Sequence, residues 1–262
     1  MESSSLSSII VILIIIFGVY VVFTDQVQGK VKLISIVFLA VLSIYILSNL
    51  SLFKSYKTVL DSSKPADLEI VFPASKMPKV TSTYSISTWI YIQDWNVGFG
   101  KEKNIAFYDL KDGKSTTIAL DGYDNKLVIK YYTFSSSGTT TKEEVVNVEN
   151  INIQKWVNIT VCFDTNNTDT YINGKLMDTH IHNDPLFTPR EQGSLKLCKG
   201  NVGFSGQISN TKFYNKIVSP QEAWDIYKAG FSDSLLGNLL NRYNAKFIFY
   251  QDQNEVANYI LI

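Results

Sequence analysis

Cysteine is scarce in this chain, with only Cys162 and Cys198 among 262 residues. A small secreted scaffold held by several disulfides is therefore excluded. The pair reads more readily as two buried thiols than as one bridge, because free cysteine packs as a small hydrophobe. Histidine is equally sparse: His180 and His182 are the full complement. An excess of charge is missing too, since 24 Lys and Arg balance 24 Asp and Glu. The first sixty residues hold four basic and two acidic groups, which leaves 20 against 22 in the remainder. No strongly basic face is forced, so nucleic acid is not an expected partner. No Gly-x-Ser-x-Gly elbow occurs to present a hydrolase serine. What is present is 45% apolar and 13% aromatic residues, enough for one or two packed domains and incompatible with a wholly disordered chain.

The apolar residues are unevenly spread. Ser3 to Thr24 is a run of 22 residues without a charge, and Leu33 to Phe53 is a second of 21. At about 1.5 Å of rise per residue, either one spans roughly 30 Å as a helix, the thickness of a bilayer core. A cleaved signal peptide wants a positive start and a small-residue exit. This chain begins Met1-Glu2-Ser3, and its first run exits through Tyr20, Val21, Val22 and Phe23. Residues 1–53 are thus expected to form an uncleaved transmembrane hairpin, making a lipid bilayer one partner. Lys30 and Lys32 mark the connecting loop and Lys54 and Lys57 the opposite side, so the charges leave the orientation open. The triplets at Asn49, Asn158 and Asn166 fit the glycosylation pattern but are too common to choose a side.

From 54 to 79 the composition turns to Lys, Ser and Pro, as in a juxtamembrane stalk carrying one strand at Leu68 to Phe72. Beyond Val80, short β-rich runs recur between Gly, Asn, Asp and Ser: Tyr84 to Ile92, Asn104 to Leu110, Thr116 to Leu120, Leu127 to Phe134, Glu144 to Val148, Trp156 to Phe163, Asp169 to Ile172, Lys175 to His180 and Ser194 to Cys198. Strands of this length and spacing predict an all-β jelly-roll sandwich. Asn173-Gly174 suits the two positive-φ sites of a type I′ turn, and Asp124-Asn125 is a weaker version of that signal. Trp156 to Phe163 sets Val157, Ile159, Val161 and Phe163 on a dry face and Asn158, Thr160 and Cys162 on one expected to be only partly dry.

One helix is well specified. Ser219 caps it, Pro220 suits its first position, Glu222 closes a capping box and Gly230 stops it. Its apolar stripe, Ala223, Trp224, Tyr227 and Ala229, is expected to lie on the sandwich edge. Ser234 to Tyr243 is a weaker helical candidate, and Ala245 to Tyr250 with Glu255 to Ile260 predicts a closing hairpin.

The order of these elements resembles the laminin-G-like branch of the concanavalin A-like lectin/glucanase superfamily. The residues from Tyr84 to Tyr91, including Trp89, look like its opening strand, and Trp156 to Asp164 like the strand that begins with Trp and ends in an acid. Tyr171-Ile172-Asn173-Gly174-Lys175 is similar to a "Y-x-N-G-K" hairpin, and Gly203 to Ile208, with Gly206, to the Gly-bounded strand before the closing helix. Phe213 to Glu222, with Ser219, looks like the last strand and its capped helix. The resemblance covers residues 80–230, and 231–262 is a C-terminal extension. The tail and anchor also resemble membrane-anchored versions of this domain in large double-stranded DNA viruses. That implies a minor capsid or virion membrane protein, placed between an internal membrane and the shell and contacting neighbouring capsid or membrane proteins.

Several constellations of side chains bear on chemistry. A glucanase of this superfamily needs two or three carboxylates on alternate strand positions. No such series exists here, and Glu143, Glu144 and Glu149 read as a solvated edge. In an extended strand Asp178, His180 and His182 would share one face and could hold a transition metal, against the plainer reading of an exposed strand end. Gly98-Phe99-Gly100 is a loop turn, since no helix follows to bind phosphate. The resemblance implies no obligatory cofactor, with calcium at the sandwich rim as the one to consider; Asp164, Asn166 and Asp169 are its candidate ligands, and Asp94 lies at another strand end. Glycan binding asks for an aromatic platform with amide and carboxylate partners. Asp94-Trp95-Asn96 supplies all three, and Tyr131-Tyr132 offers further rings that equally suit the core. The chain thus reads as a non-catalytic, membrane-anchored structural or binding module, with a membrane-displayed lectin as the alternative and a glycoside hydrolase as the disfavoured third.

Overall fold

The structure, a computed structural model, describes residues 56–232 apart from 81, 112, 136–139, 189–190 and 202, the strands 245–251 and 254–261, and residues 29, 33, 34, 36 and 37. The chain divides into two units, Met1–Lys54 and Ser55–Ile262. The two uncharged runs lie outside the described residues, except for Leu33, Ile34, Ile36 and Val37, which are helical with exposed side chains. Among the described residues no helix is long and apolar enough to cross a membrane. The helical candidate at 234–243 also lies outside them.

Strands β1 (Tyr56–Leu60), β2 (Lys64–Pro65), β3 (Ile70–Phe72), β4 (Tyr84–Asp94), β5 (Lys103–Lys111), β6 (Lys114–Leu120) and β7 (Lys126–Phe134) open the second unit. They continue as β8 (Thr141–Glu149), β9 (Trp156–Phe163), β10 (Asn167–Ile172), β11 (Lys175–Ile181), β12 (Leu195–Leu197) and β13 (Ser205–Tyr214). A seven-stranded sheet runs β1-β13-β4-β9-β10-β11, with β2 also paired to β13, and a six-stranded sheet runs β3-β12-β5-β6-β7-β8. The pairings are antiparallel. The predicted jelly-roll sandwich is therefore the observed architecture of the β body.

Alternation builds the core. In β4, Tyr84, Ile86, Ile90 and Ile92 face inward, and in β9, Val157, Ile159, Val161 and Phe163 do the same. Each such fully buried aliphatic side chain contributes roughly 1.5–3 kcal/mol relative to exposure. Tyr84 stacks on Phe163 with ring centroids 4.9 Å apart, and its hydroxyl meets Thr116 Oγ1 at 2.5 Å, a bond that crosses from one sheet to the other.

The segment 54–79 is not a free stalk. β1 and β2 pair with β13, β3 pairs with β12, and Leu60, Ala66 and Met77 join the core. Its strands are only five, two and three residues long, and β3 falls within the strand expected at Leu68 to Phe72. Edge strands need few buried residues and tolerate Pro65, so neither periodicity nor composition marks β1 and β2. The body thus begins near Tyr56 rather than Val80.

The helix α1 (Pro220–Ala229) has its capping box: Glu222 N donates to Ser219 Oγ, and Ser219 N donates to the Glu222 carboxylate. It lies on the outer face of the seven-stranded sheet instead of on its edge. Tyr227 stacks on Trp89 at 5.7 Å, and Phe231 stacks on Trp156 at 4.3 Å. Ala223 joins Cys162, Tyr171, Tyr214 and Val218 in a second small core. Trp224 and Ala229, expected within the buried stripe, are exposed. The covered face of β9 is consequently dry: Asn158 and Thr160 are fully buried and bonded to Ser87. Glycosylation at Asn158 is incompatible with this packing.

Asn173 and Gly174 adopt positive φ, at 52° and 72°. Gly174 is required twice, because a Cβ there would sit 3.0 Å from Trp224 Cα. Asp124-Asn125 does not form the analogous turn, as neither residue has positive φ; Asp121 instead accepts from the Tyr123 and Asp124 N–H groups, which sets a longer loop. The closing hairpin exists as β14 (Ala245–Gln251) and β15 (Asn254–Leu261), paired antiparallel. Both cysteines are buried free thiols.

Candidate ligand-binding site

Tyr91 of β4 pairs with Trp156 of β9, so the exit of β4 and the entry of β9 share one end of the sandwich. Three segments distant in sequence meet there. Ser205 pairs with Asp94, Gly206 pairs with Ile92, and Ala66 N donates to the Gly206 carbonyl at 3.0 Å. They enclose a cleft of about 450 Å³. Its polar walls are Asp67, Gln93, Lys101 and Ser205, with Phe204 and Lys103 buried at its base. Among the described residues none of those four wall side chains has a hydrogen-bond or ion-pair partner, so a carboxylate, an amide, an ammonium and a hydroxyl are all unspent in one concavity.

The β4–β5 connection forms the rim. Phe99 N donates to Asn96 O, Lys101 N to Gly98 O and Gly100 N to Gly122 O, so Gly98-Phe99-Gly100 is a loop of successive turns. These turns leave Phe99 60% exposed, edge-on to the 65% exposed Tyr123 with ring centroids 5.4 Å apart. Two accessible rings beside unspent polar groups are the components that sugar recognition requires.

Asp94, Trp95 and Asn96 adjoin this cleft but serve the loop. Asp94 Oδ1 accepts from Asn96 N at 2.9 Å. Trp95 is half-buried against the core, and the Lys103 ammonium stands 4.7 Å from its ring centroid. That ammonium donates to the Trp95 carbonyl. Burial pulls the Lys103 pKa down, and the nearby charges of Asp94 and Asp121 push back. Asp121 is itself held below the usual carboxylate range, first by the Asp124 N–H and then by the Tyr123 N–H.

Asp164, Asn166 and Asp169 lie at the opposite end, on the β9–β10 hairpin. Asp164 Oδ1 accepts from Thr165 N at 2.7 Å, Asp169 Oδ1 accepts from Asn167 Nδ2 at 3.1 Å, and exposed Asn166 offers its carbonyl to His182 N. Asp178 and His180 face the space between the sheets, opposite Thr170 and Thr168. His180 Nε2 lies 3.8 Å from Glu144 Oε2, while His182 is buried with Nδ1 2.7 Å from the Asp184 carbonyl. Among the described residues no three His, Cys, Asp or Glu side chains gather as a metal site would require. Glu143 and Glu149 are exposed on the edge strand β8, where Glu144 also pairs with Lys142. Tyr131 belongs to the core, and Tyr132 stands half-exposed on the other face of β7.

Sequence reading missed Asp67, Gln93, Lys101 and Ser205 because they come from three separate segments. The available signal was indirect: Gly98, Gly100, Gly203 and Gly206 crowd the same segments and mark close backbone approach.

The sequence model of the family described as "Concanavalin A-like lectin/glucanases superfamily", a laminin-G-type family, matches residues 66–223. That match reaches back into the segment holding Asp67. No curated protein matches the sequence. Among solved structures, the botulinum neurotoxin serotype D ligand-binding domain in complex with N-acetylneuraminic acid is similar at 12% identity and TM-score 0.50, covering 67% of this chain and 46% of that one. The receptor-binding domain of botulinum neurotoxin D is similar at 11% identity and TM-score 0.50, covering 66% and 48%. At such identity the likeness is one of fold alone, and this chain matches about half the length of each.

Proposed function

The chain belongs to the concanavalin A-like lectin/glucanases superfamily, and from that premise we propose that it is a non-catalytic, membrane-anchored recognition module whose loop-end cleft binds a glycan. The observation that carries this reading is the cleft itself, with four unspent polar side chains, and the exposed Phe99, which meets Tyr123, on the loop that contributes Gly98 and Lys101 to its lining. The rings cover the apolar face of a sugar while Asp67, Gln93, Lys101 and Ser205 exchange hydrogen bonds with its hydroxyls. Among the described residues Asp67 is the one carboxylate on the cleft wall. Glycoside hydrolysis in the usual mechanism needs two, so binding without turnover suits this chemistry. A glycan-bound structure among the fold neighbours is in keeping with the reading.

Anchoring rests on the uncharged runs of 22 and 21 residues, and the exposed helical Leu33, Ile34, Ile36 and Val37 suit side chains that face lipid. Deleting residues 1–53 is expected to release the protein from carbonate-washed membranes; retention there would remove the anchor. The full chain in detergent micelles, applied to a glycan array, is expected to bind saturably and to lose binding in Phe99→Ala and Asp67→Asn. A blank array from folded protein would overturn the glycan reading.

A second reading is favoured by β11, an edge strand on which Leu176, Met177 and Ile181 remain exposed. Such an edge suits docking onto a neighbouring protein, as a minor virion component tethering an internal membrane to a capsid shell would require. Crosslinks from β11 to a shell protein in purified particles would support it, and crosslinks confined to the loop end would count against it.

A further inference from the structure

The charges of the cleft narrow the class of sugar it takes. Among the described residues the wall and base carry two ammonium groups, Lys101 and Lys103, against the single carboxylate of Asp67. Lys101 is exposed at the wall and has no ion-pair or hydrogen-bond partner among the described residues. Asp67, on the same wall, is likewise unpaired. An acid and a base held in one concavity without bonding to each other remain available to two different groups of a third molecule.

Beneath them Lys103 is only 1% exposed. Its ammonium has three donors, and its hydrogen bond goes to the Trp95 carbonyl. The neighbouring acids do not close an ion pair with it. Asp94 Oδ1 is engaged by Asn96 N, and Asp121 Oδ1 by two backbone N–H groups, with Asp121 Oδ2 3.8 Å from Lys126 Nζ. Lys103 lines the cleft with almost none of its surface exposed. Its positive charge lies below the base of the cleft, where water screens it poorly. A buried ammonium with incomplete compensation favours negative charge arriving above it.

Resting on the glycan reading above, we infer that the cleft selects a carboxylate-bearing sugar, such as a uronate or a nonulosonate, over neutral sugars. The carboxylate pairs with Lys101 above the buried Lys103 charge. Asp67 and Gln93 take sugar hydroxyls, which fixes the orientation of the ring. Asp67 at the same time repels a ligand carrying several negative charges, so one carboxylate suits the site better than a polysulfated chain.

The test uses the full chain in detergent micelles with glucuronate and N-acetylneuraminate oligosaccharides, each compared with its own carboxyl methyl ester. Esterification removes the charge and keeps the rest of the sugar. The free acid of at least one pair is expected to bind about tenfold more tightly than its ester, as a charge-assisted bond does against a neutral one. That preference shrinks with added salt and is abolished in Lys101→Gln, an exposed substitution that leaves the fold intact. Equal binding of acid and ester, or tighter binding of a sulfated sugar than of any carboxylate, overturns this inference and leaves the glycan reading standing. Failure of every sugar, charged or neutral, overturns the glycan reading itself.

Discussion

Gly206 sits so tightly beneath Tyr91 that a Cβ on it would come within 1.8 Å of the Tyr91 carbonyl oxygen. The two strands can approach in this way because β13 is irregular between Ser205 and Gly206. This close approach sets the wall from which Ser205 faces the cleft. Gly206→Ala must push β13 away from β4, an overpacking cost of about 1–3 kcal/mol. The denaturation midpoint is expected to fall accordingly, and sugar binding to weaken in the fraction that remains folded. An unchanged midpoint would mean that the wall is far more pliable than its packing indicates.

Thr170 is fully buried between the sheets, and its hydroxyl has no partner. Leaving such a group unmade in a dry interior costs free energy that an apolar group of the same shape avoids. Thr170→Val is expected to raise stability by about 1 kcal/mol, read from chemical denaturation. A loss of stability would instead reveal an ordered water serving this hydroxyl.

Burial pushes Glu222 up, but the hydrogen bonds from Lys216 and Ser219 outweigh it and hold the carboxyl below its ordinary value. A carboxyl lowered on folding binds fewer protons in the native state, so its stabilisation is full above the ordinary carboxylate range and fades as pH falls through the lowered value. Glu222→Gln is expected to flatten this part of the acid-unfolding profile while leaving the neutral-to-basic limb parallel to that of the parent. Superimposable acid limbs would show that the capping box makes no contribution through ionisation.

Burial raises the Cys162 thiol to about 11 and the Cys198 thiol to about 12. Both are protonated at neutral pH, and the thiolate is the reactive form. Native protein is expected to resist a maleimide over hours, with both thiols labelled rapidly once denaturant unfolds the body. Fast native labelling of either one would indicate local opening of the sandwich around it.

The strands of the body were legible where burial on one or both faces imposed a pattern. Trp156–Phe163 has the predicted bounds, and Ser219, Pro220, Glu222 and Gly230 delimit the helix through local hydrogen bonds. Legibility failed where the deciding contact was remote. Nothing near Trp224 in the chain reveals that it stays exposed while Tyr227 meets Trp89, because Trp89 lies on a distant strand. β1 and β2 were hidden for the same reason: their partner is β13, at the other end of the body.

The candidate site shows the same division. Asp94-Trp95-Asn96 was visible as a cluster because its members are consecutive, and consecutive residues in a tight loop tend to satisfy one another, as Asp94 and Asn96 do. The cleft's unspent groups are not neighbours in the chain.

The order of residues alone determined that this chain carries two uncharged runs long enough for a bilayer, an all-β body with alternating faces, a type I′ hairpin turn at Asn173-Gly174 and one capped helix. Those features follow from local sterics, hydrogen bonding and hydrophobic period. Only the tertiary structure decided which polar side chains stay unpaired, since pairing depends on what the fold brings within reach. Antiparallel registry of β13 with β4 and the seating of Ala66 on Gly206 put Asp67, Gln93, Lys101 and Ser205 around one cleft.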